Sequence, residues 1–285
     1  MVIIYSPLIR RLIILHSSSI KHCKVFKLET RTLSLMTWTY DGPYPFTIIY
    51  YILFGSTLGI FHLLQIIAYN FFGYSGHKKT VDWMNFFLLR CLSFLGIQIL
   101  FDKKLNLTVG KPLIIVANHQ SSYDIPPIIW YLKKFHPKFI SKKKLGKGIP
   151  GVSYNLRNGG SVLIDRRRPQ EAIKLIKIFA QKVERNKWSA VIFPEGTRSR
   201  DGKPKKFHKK GLITLFENIP SAVILPISIT NSWRLAQYNY FPIPMGVKIT
   251  FTSHKPIILG DIGIEKALSQ VERVIQGGIN LTTLS

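Results

Sequence analysis

The chain has 285 residues, 46% of them apolar, and carries 40 Lys+Arg against 14 Asp+Glu, a formal net charge of +26. That length suffices for one large domain with a sizeable core plus an accessory segment, and a mean hydropathy of +0.14 already suggests membrane contact. Cys23 and Cys91 stand far apart with no C-x-x-C, which excludes a zinc ribbon and a redox dithiol and fits a reducing compartment.

Residues 1–35 mix Ile and Leu with Arg10, Arg11, Lys21, Lys24, Lys27 and Arg31 and show no period. No small-residue cleavage site follows the apolar run 12–15, so a signal peptide is not supported. This stretch is read as lying outside the fold, with Met36 as an alternative start. Residues 46–72 contain no Lys, Arg, Asp or Glu and are long enough to cross a hydrocarbon core of about 30 Å. Tyr50, Tyr51 and Tyr69 lie toward the ends of the run, as interfacial aromatics do. A membrane segment is expected there rather than a buried core helix. A second apolar stretch, 81–101, carries only Asp82 and Arg90, and Met84, Phe87, Leu88, Cys91, Leu92 and Leu95 follow helical spacing. That helix has three possible places: in the interface, re-entering the bilayer, or packed on the domain that follows. Residues 36–105 are thus read as membrane-anchoring helices. With a start at Met36, no Lys or Arg precedes the first helix while Lys78 and Lys79 follow it. The positive-inside rule then puts the domain that follows in the cytoplasm; with residues 1–35 present, positive charge flanks both sides.

Residues 106–285 read as the second domain. Short Val/Ile-rich runs at 112–117, 138–141, 161–164, 190–193, 222–229 and 247–251 predict strands, and 125–135, 169–185 and 209–218 predict helices. The second of these helices has Pro169 near its first turn and Ala172, Leu175, Ile176, Phe179 and Val183 on one face. Strand–helix alternation predicts an α/β domain with a mostly parallel central sheet and flanking helices.

Three segments follow directly on apolar strands. Asn118-His119-Gln120-Ser121-Ser122-Tyr123-Asp124 puts a histidine at a strand end and an aspartate at the start of the next helix. A carboxylate on one ring nitrogen fixes the tautomer and stabilises the imidazolium formed when the other nitrogen takes a proton. An unperturbed pKa of ~6.5 suits a base working near neutrality. Taken alone, the spacing fits equally an N-cap aspartate beside an ordinary loop histidine. No G-x-S-x-G is present, so the substrate is expected to bring the nucleophile. Phe193-Pro194-Glu195-Gly196-Thr197-Arg198-Ser199 offers a glycine for close backbone approach, a hydroxyl and a forked cation that matches phosphate. Gly160-Ser161-Val162-Leu163-Ile164-Asp165-Arg166 delivers a further arginine, while Arg167 and Arg168 read as a solvated basic turn.

In this order and spacing, NHQSSYD, GSVLIDR and FPEGTRS resemble the glycerolipid acyltransferases, specifically the 1-acylglycerol-3-phosphate acyltransferase family. Ile224-Leu225-Pro226-Ile227-Ser228 looks like that family's fourth block, and the resemblance covers roughly residues 113–229. It implies His119 as general base, Asp124 as its partner, and Arg166, Glu195, Gly196, Thr197 and Arg198 in binding the acceptor's phosphate. It also implies Pro226 near an acyl-binding groove. Lys144 stands where the family usually has an acid before Leu145, a local departure away from the His–Asp pair.

The implied reaction moves an acyl group from acyl-CoA or acyl-carrier protein to the free hydroxyl of a lysophosphatidate, at a membrane, with no metal or cofactor. Glycerol-3-phosphate and other lysolipids are alternative acceptors. The basic runs 133–147 and 203–210 suit an acidic carrier protein, the phosphates of CoA, an anionic membrane surface, or simple solvation. Three rival readings are a nucleic-acid-binding protein, a lipid hydrolase using water, and a membrane scaffold with a dead site. No nucleic-acid module accompanies the charge, so nucleic acid is not an expected partner.

Overall fold

The computed structural model describes residues 43–102 and 107–283, without the side chains of 280–283. The reading of 1–35 therefore lies outside the described residues. Among these, eight strands form one sheet: β1 (Gln98–Phe101), β2 (Leu113–Ala117), β3 (Pro137–Lys142), β4 (Val162–Ile164), β5 (Ser189–Ile192), β6 (Val223–Thr230), β7 (Lys248–Ser253) and β8 (Ile257–Ile258). Their order is β1-β7-β6-β2-β5-β3-β4, with β8 also pairing β6. The pairs of β2 with β5 and β6, β3 with β4 and β5, and β1 with β7 are parallel. Those of β6 with β7 and β8 are antiparallel. The mostly parallel α/β sheet expected from the sequence is what forms.

The centre of the sheet is β2, Leu-Ile-Ile-Val-Ala, buried along its whole length. Successive side chains of a strand point to opposite faces. Accordingly Leu113, Ile115 and Ala117 join one core, and Ile114 and Val116 the other. Short helices α3 (Val152–Asn158) and α6 (Leu259–Ile262) precede β4 and follow β8, and the second core is closed by α4 (Pro169–Asn186), α5 (Lys209–Asn218) and α7 (Ile264–Thr283), through Ile176, Phe179, Leu215 and Val271. Proline at the start of α4 costs no hydrogen bond there, and Ala172, Ile176, Phe179, Ala180 and Val183 make its inward stripe.

The first core is closed by α2 (Ile125–Tyr131) and by the long helical element α1 (Pro43–Phe94). Gly73 interrupts α1 with φ 58° and ψ −148°, a conformation that a side chain disfavours. The two arms fold back on each other. Phe61 meets Phe87 with ring centroids 5.6 Å apart, and Thr57 Oγ1 lies 3.7 Å from Cys91 Sγ. Buried Gln65 joins His77 Nε2 (3.1 Å) and Met84 Sδ (3.3 Å). The inner face of this hairpin belongs to the domain: Tyr50, Leu92 and Leu95 are fully buried beside Ile115 and Ile128. Its outer face is not covered: Ile60, Leu63, Leu64, Ile67, Phe71 and Phe72 are exposed, the last two by more than 70%. Residues 43–94 satisfy, by length and composition, the test for a helix able to cross a membrane.

Two expectations need correction. The stretch 81–101 is not one helix, because α1 ends at Phe94, Gly96 takes φ 68°, and Gln98–Phe101 pairs as a strand with β7. The helix expected at 125–135 stops at Tyr131 and continues as a 3₁₀ turn, Lys133–Phe135, closed by His136 in the left-handed region.

Candidate active site

The site forms where the parallel strands β2, β3, β4 and β5 present their C-terminal ends, together with the segment after β6. His119 leaves β2 and Asp124 closes a one-turn 3₁₀ helix, Ser122–Asp124. The Ser121 hydroxyl accepts from Tyr123 N, and the Asp124 carboxylate accepts from Gln120 N (2.7 Å) and Ser121 N (3.0 Å). The turn thereby folds the aspartate back toward the histidine. Asp124 Oδ2 meets His119 Nδ1 at 2.7 Å, and Oδ1 accepts from the hydroxyl of Ser232. Asp124 is fully buried, so each of these donors helps to hold its charge. The imidazole stacks on Phe193, centroids 4.2 Å apart and planes 18° from parallel. With Nδ1 committed to Asp124, Nε2 is the ring position left for a substrate proton.

Neither neighbouring serine supplies a nucleophile to that nitrogen. Ser121 is fully buried and bonded within the turn and to Ser232 (3.1 Å). The Ser122 hydroxyl faces the Tyr240 hydroxyl at 3.4 Å. Asn118 fixes the strand end, donating to Ile229 O (2.8 Å) and accepting from Ile229 N (2.6 Å). Gln120 Oε1 accepts from Ser232 N at 3.0 Å.

The loop after β5 docks on the same histidine. Ser199 N donates to His119 O (2.7 Å), and Glu195 Oε2 accepts from His119 N (3.4 Å). Glu195 Oε1 accepts from Lys205 N (3.3 Å). Burial raises the Glu195 pKa to about 7 against the pull of these two N–H groups, and the nearby Asp124 charge adds to the rise. Gly196 has φ +73°; a Cβ there would come 3.4 Å from Arg166 Nη1 and 3.1 Å from His208 Cδ2. The positive φ, and the tight contact that a Cβ would make with His208, are what favour glycine here, beside the Arg166 guanidinium. Thr197 Oγ1 and Arg198 O both accept from Lys205 Nζ, at 3.2 and 2.7 Å. Arg198 Nη1 donates to Tyr240 Oη at 3.0 Å. Lys142, at the end of β3, has its pKa lowered by partial burial and by the charges of Arg166, Lys144 and Arg198, so these cations share one field. Such a field favours a phosphate dianion.

His119 and Asp124 thus sit together, with Glu195, Gly196, Thr197, Arg198 and Arg166 gathered around the adjoining loop. Pro226 is not in that group. It lies buried within β6 opposite Val116, and by strand alternation it faces the α7 side while Leu225 and Ile227 face the hairpin. Glu195 is directed at backbone N–H groups rather than outward. Several residues escaped the sequence reading: Ser232, Tyr240, Lys205, His208 and Lys142. Ser232 is 108 positions from the aspartate that it serves. Lys142 was legible only as one lysine in a basic run, although its place at a strand end was a usable signal.

Residues 98–230 match the family model described as Acyltransferase. A 1-acyl-sn-glycerol-3-phosphate acyltransferase of Helicobacter pylori is 37% identical over 134 residues, 44% of this chain and 54% of that protein. One from Cocos nucifera is 34% identical over 166 residues, covering 56% and 51%. One from Saccharomyces cerevisiae is 27% identical over 208 residues, covering 70% and 65%. The chain thus spans about half the length of the first two. The crystal structure of the 1-acyl-sn-glycerophosphate (LPA) acyltransferase PlsC from Thermotoga maritima superposes with a TM-score of 0.70 at 24% identity. That superposition covers 84% of this chain and 95% of the other, a likeness of fold. Residues 98–230 are thus similar to the Acyltransferase family, and the relatives that this chain matches are 1-acyl-sn-glycerol-3-phosphate acyltransferases.

Proposed function

We propose that this protein is a membrane-bound O-acyltransferase that esterifies the free hydroxyl of 1-acylglycerol-3-phosphate to give phosphatidate, using acyl-CoA or acyl-carrier protein as donor. The observation that carries the reading is the His119–Asp124 pair at 2.7 Å, with no hydrogen bond to Nε2 among the described residues and a cluster of Arg166, Arg198 and Lys142 alongside. His119 Nε2 takes the proton of the acceptor hydroxyl as its oxygen attacks the thioester carbonyl carbon. The tetrahedral intermediate collapses, the C–S bond breaks, and the leaving sulfur receives that proton from Nε2. Asp124 holds the tautomer and stabilises the transient imidazolium. The arginines and Lys142 hold the acceptor's phosphate, while Gly196 and Thr197 shape the loop that presents them. An acyl groove between β6 and the hairpin is lined from β6 by Leu225 and Ile227, and Pro226 shapes it only through the strand backbone, its ring being on the other face.

The hairpin is the proposed membrane contact. Tyr51 touches the domain through Tyr240, and Tyr74 touches it through Trp188 and His136. The domain holds the first arm through Tyr51 and the start of the second through Tyr74, just past Gly73, so a bilayer cannot separate the two ends of the first arm. This supports a hairpin lying in the interface with its apolar face inward as the form that the membrane segment expected at 46–72 takes. The cationic balance of the chain supports placing the domain at the anionic cytoplasmic leaflet.

The test is a panel of lysophosphatidate, glycerol-3-phosphate and other lysolipids, with labelled acyl-CoA and acyl-carrier protein, on membranes containing the protein. Acylation of lysophosphatidate that falls by more than about a hundredfold in His119→Ala is expected. Near-normal turnover in that variant, with the protein still folded and membrane-bound, ends the proposal.

A further inference from the structure

The segment between β6 and β7 carries a contact that the proposed chemistry does not itself require. The Tyr240 hydroxyl accepts from Arg198 Nη1 (3.0 Å) and stands 3.4 Å from the Ser122 hydroxyl. Its ring meets Tyr123 edge-on at 5.9 Å, one residue before Asp124. Its backbone is gripped from the other side: the Tyr51 hydroxyl of α1 donates to Tyr240 O at 2.6 Å. The same first turns of α1 hold the segment again, where Ile243 N donates to buried Thr47 Oγ1 (3.1 Å) and Tyr44 packs edge-on against Phe241. Asn239 and Tyr240 both take positive φ, 51° and 69°. Two successive non-glycine residues in that region are costly and persist when the surroundings fix them. Here the surroundings are the hairpin.

We infer that Tyr240 is a positioning residue that sets the Arg198 guanidinium for the acceptor's phosphate, and that Tyr51 holds Tyr240 there, so that the anion site is complete only with the hairpin seated. This rests on the function proposed above for the substrate, but not for the contacts. An arginine with a long flexible stem gains geometric specificity when one of its nitrogens is already bonded. The seat of that bond belongs to the segment through which the protein is proposed to meet lipid. Recognition of the acceptor headgroup is thereby linked to the docking of the hairpin.

The test compares wild type, Tyr240→Phe, Tyr51→Phe and the double variant, in vesicles of phosphatidylglycerol and phosphatidylethanolamine. The acceptor KM is expected to rise roughly tenfold in each single variant, as for loss of a hydrogen bond to a charged group, with kcat within twofold of wild type. The double variant should match the worse single one, because both act through one arginine. In an Arg198→Ala background neither change should have a further effect. A fall in kcat with unchanged KM, or additive losses, overturns the inference in favour of a merely structural role. Inorganic phosphate binding, followed by equilibrium dialysis, reads the same site without acyl transfer. Phosphate binding equal to wild type in both single variants also overturns the inference. Weakened phosphate binding without any acylation of lysophosphatidate upholds the inference and sinks the function. A wild-type protein that neither binds phosphate nor acylates a phosphorylated acceptor sinks both.

Discussion

Glu195 shows how much a single buried carboxylate can organise. One oxygen holds the backbone of His119 and the other that of Lys205, so it joins the loop after β2 to the cationic loop after β5. Its pKa of about 7, against an ordinary 4.5, has a definite consequence for stability. Between those two values the folded protein keeps a proton that the unfolded chain has released, so stability falls as pH rises through that window. Glu195→Gln removes the titration and should flatten the stability–pH curve between about 4.5 and 7. Glutamine also brings one acceptor oxygen to two N–H donors, leaving one unsatisfied at a cost of about 1–3 kcal/mol. The variant should therefore melt lower at neutral pH and lose acyl transfer through displacement of His119. Chemical denaturation in detergent at pH 5 and 7.5 checks this. An unchanged pH slope would mean that Glu195 is ionised throughout.

At the scale of elements, the strands and α4 were legible because their signals are local. Five consecutive apolar residues in β2, or a stripe at helical spacing after Pro169, need nothing from the rest of the chain. The histidine–aspartate pair was legible for the same reason, since a five-residue turn brings the two together. Other features were hidden because their cause is remote. Gln98–Phe101 follows the apolar helix without a break in composition and becomes a strand only because β7 lies alongside. Ser232 and Tyr240 are polar residues in an unpatterned segment, and only the fold brings them to Asp124 and Arg198. Lys138 is a further case. The sequence placed it in a basic run, yet on β3 it is buried, with Nζ 4.8 Å from the centre of the Tyr74 ring and 4.9 Å from that of Trp188. Burial lowers its pKa to about 7, helped by Lys78 and Lys182 and opposed by Asp82. The unfolded chain keeps that proton up to about pH 10.5, so this residue makes stability rise with pH above about 7. Lys138→Met should abolish that rise and be the more stable protein at pH 7, provided the methionine packs between the same rings. Melting temperatures from pH 7 to 9 for both proteins decide it, and parallel curves would reject it.

At the scale of the whole molecule, two forces compete to drive the proposed attachment to a membrane: the +26 net charge and the uncovered face of the hairpin. They differ in their response to salt. Attraction between exposed charges and an anionic surface is screened over about 3 Å at 1 M salt, whereas apolar burial persists. Deleting the hairpin cannot separate them, because Tyr50, Leu92 and Leu95 complete the core against Ile115 and the remaining chain would aggregate. Changing its outer face can. Ile60, Leu64 and Ile67 lie at i, i+4 and i+7 on one side of the first arm, all exposed, so glutamate at these positions should leave the packed face intact. Each apolar side chain taken into lipid contributes up to about 1.5–3 kcal/mol. Losing three, and adding three carboxylates that lipid excludes, should move the protein from the membrane pellet to the supernatant with its melting temperature little changed. Wild type should stay in the pellet through a 1 M salt wash. If salt releases wild type, or if the triple variant still sediments with membranes, charge or another segment holds the protein there, and the hairpin is an internal layer of the fold rather than its membrane contact.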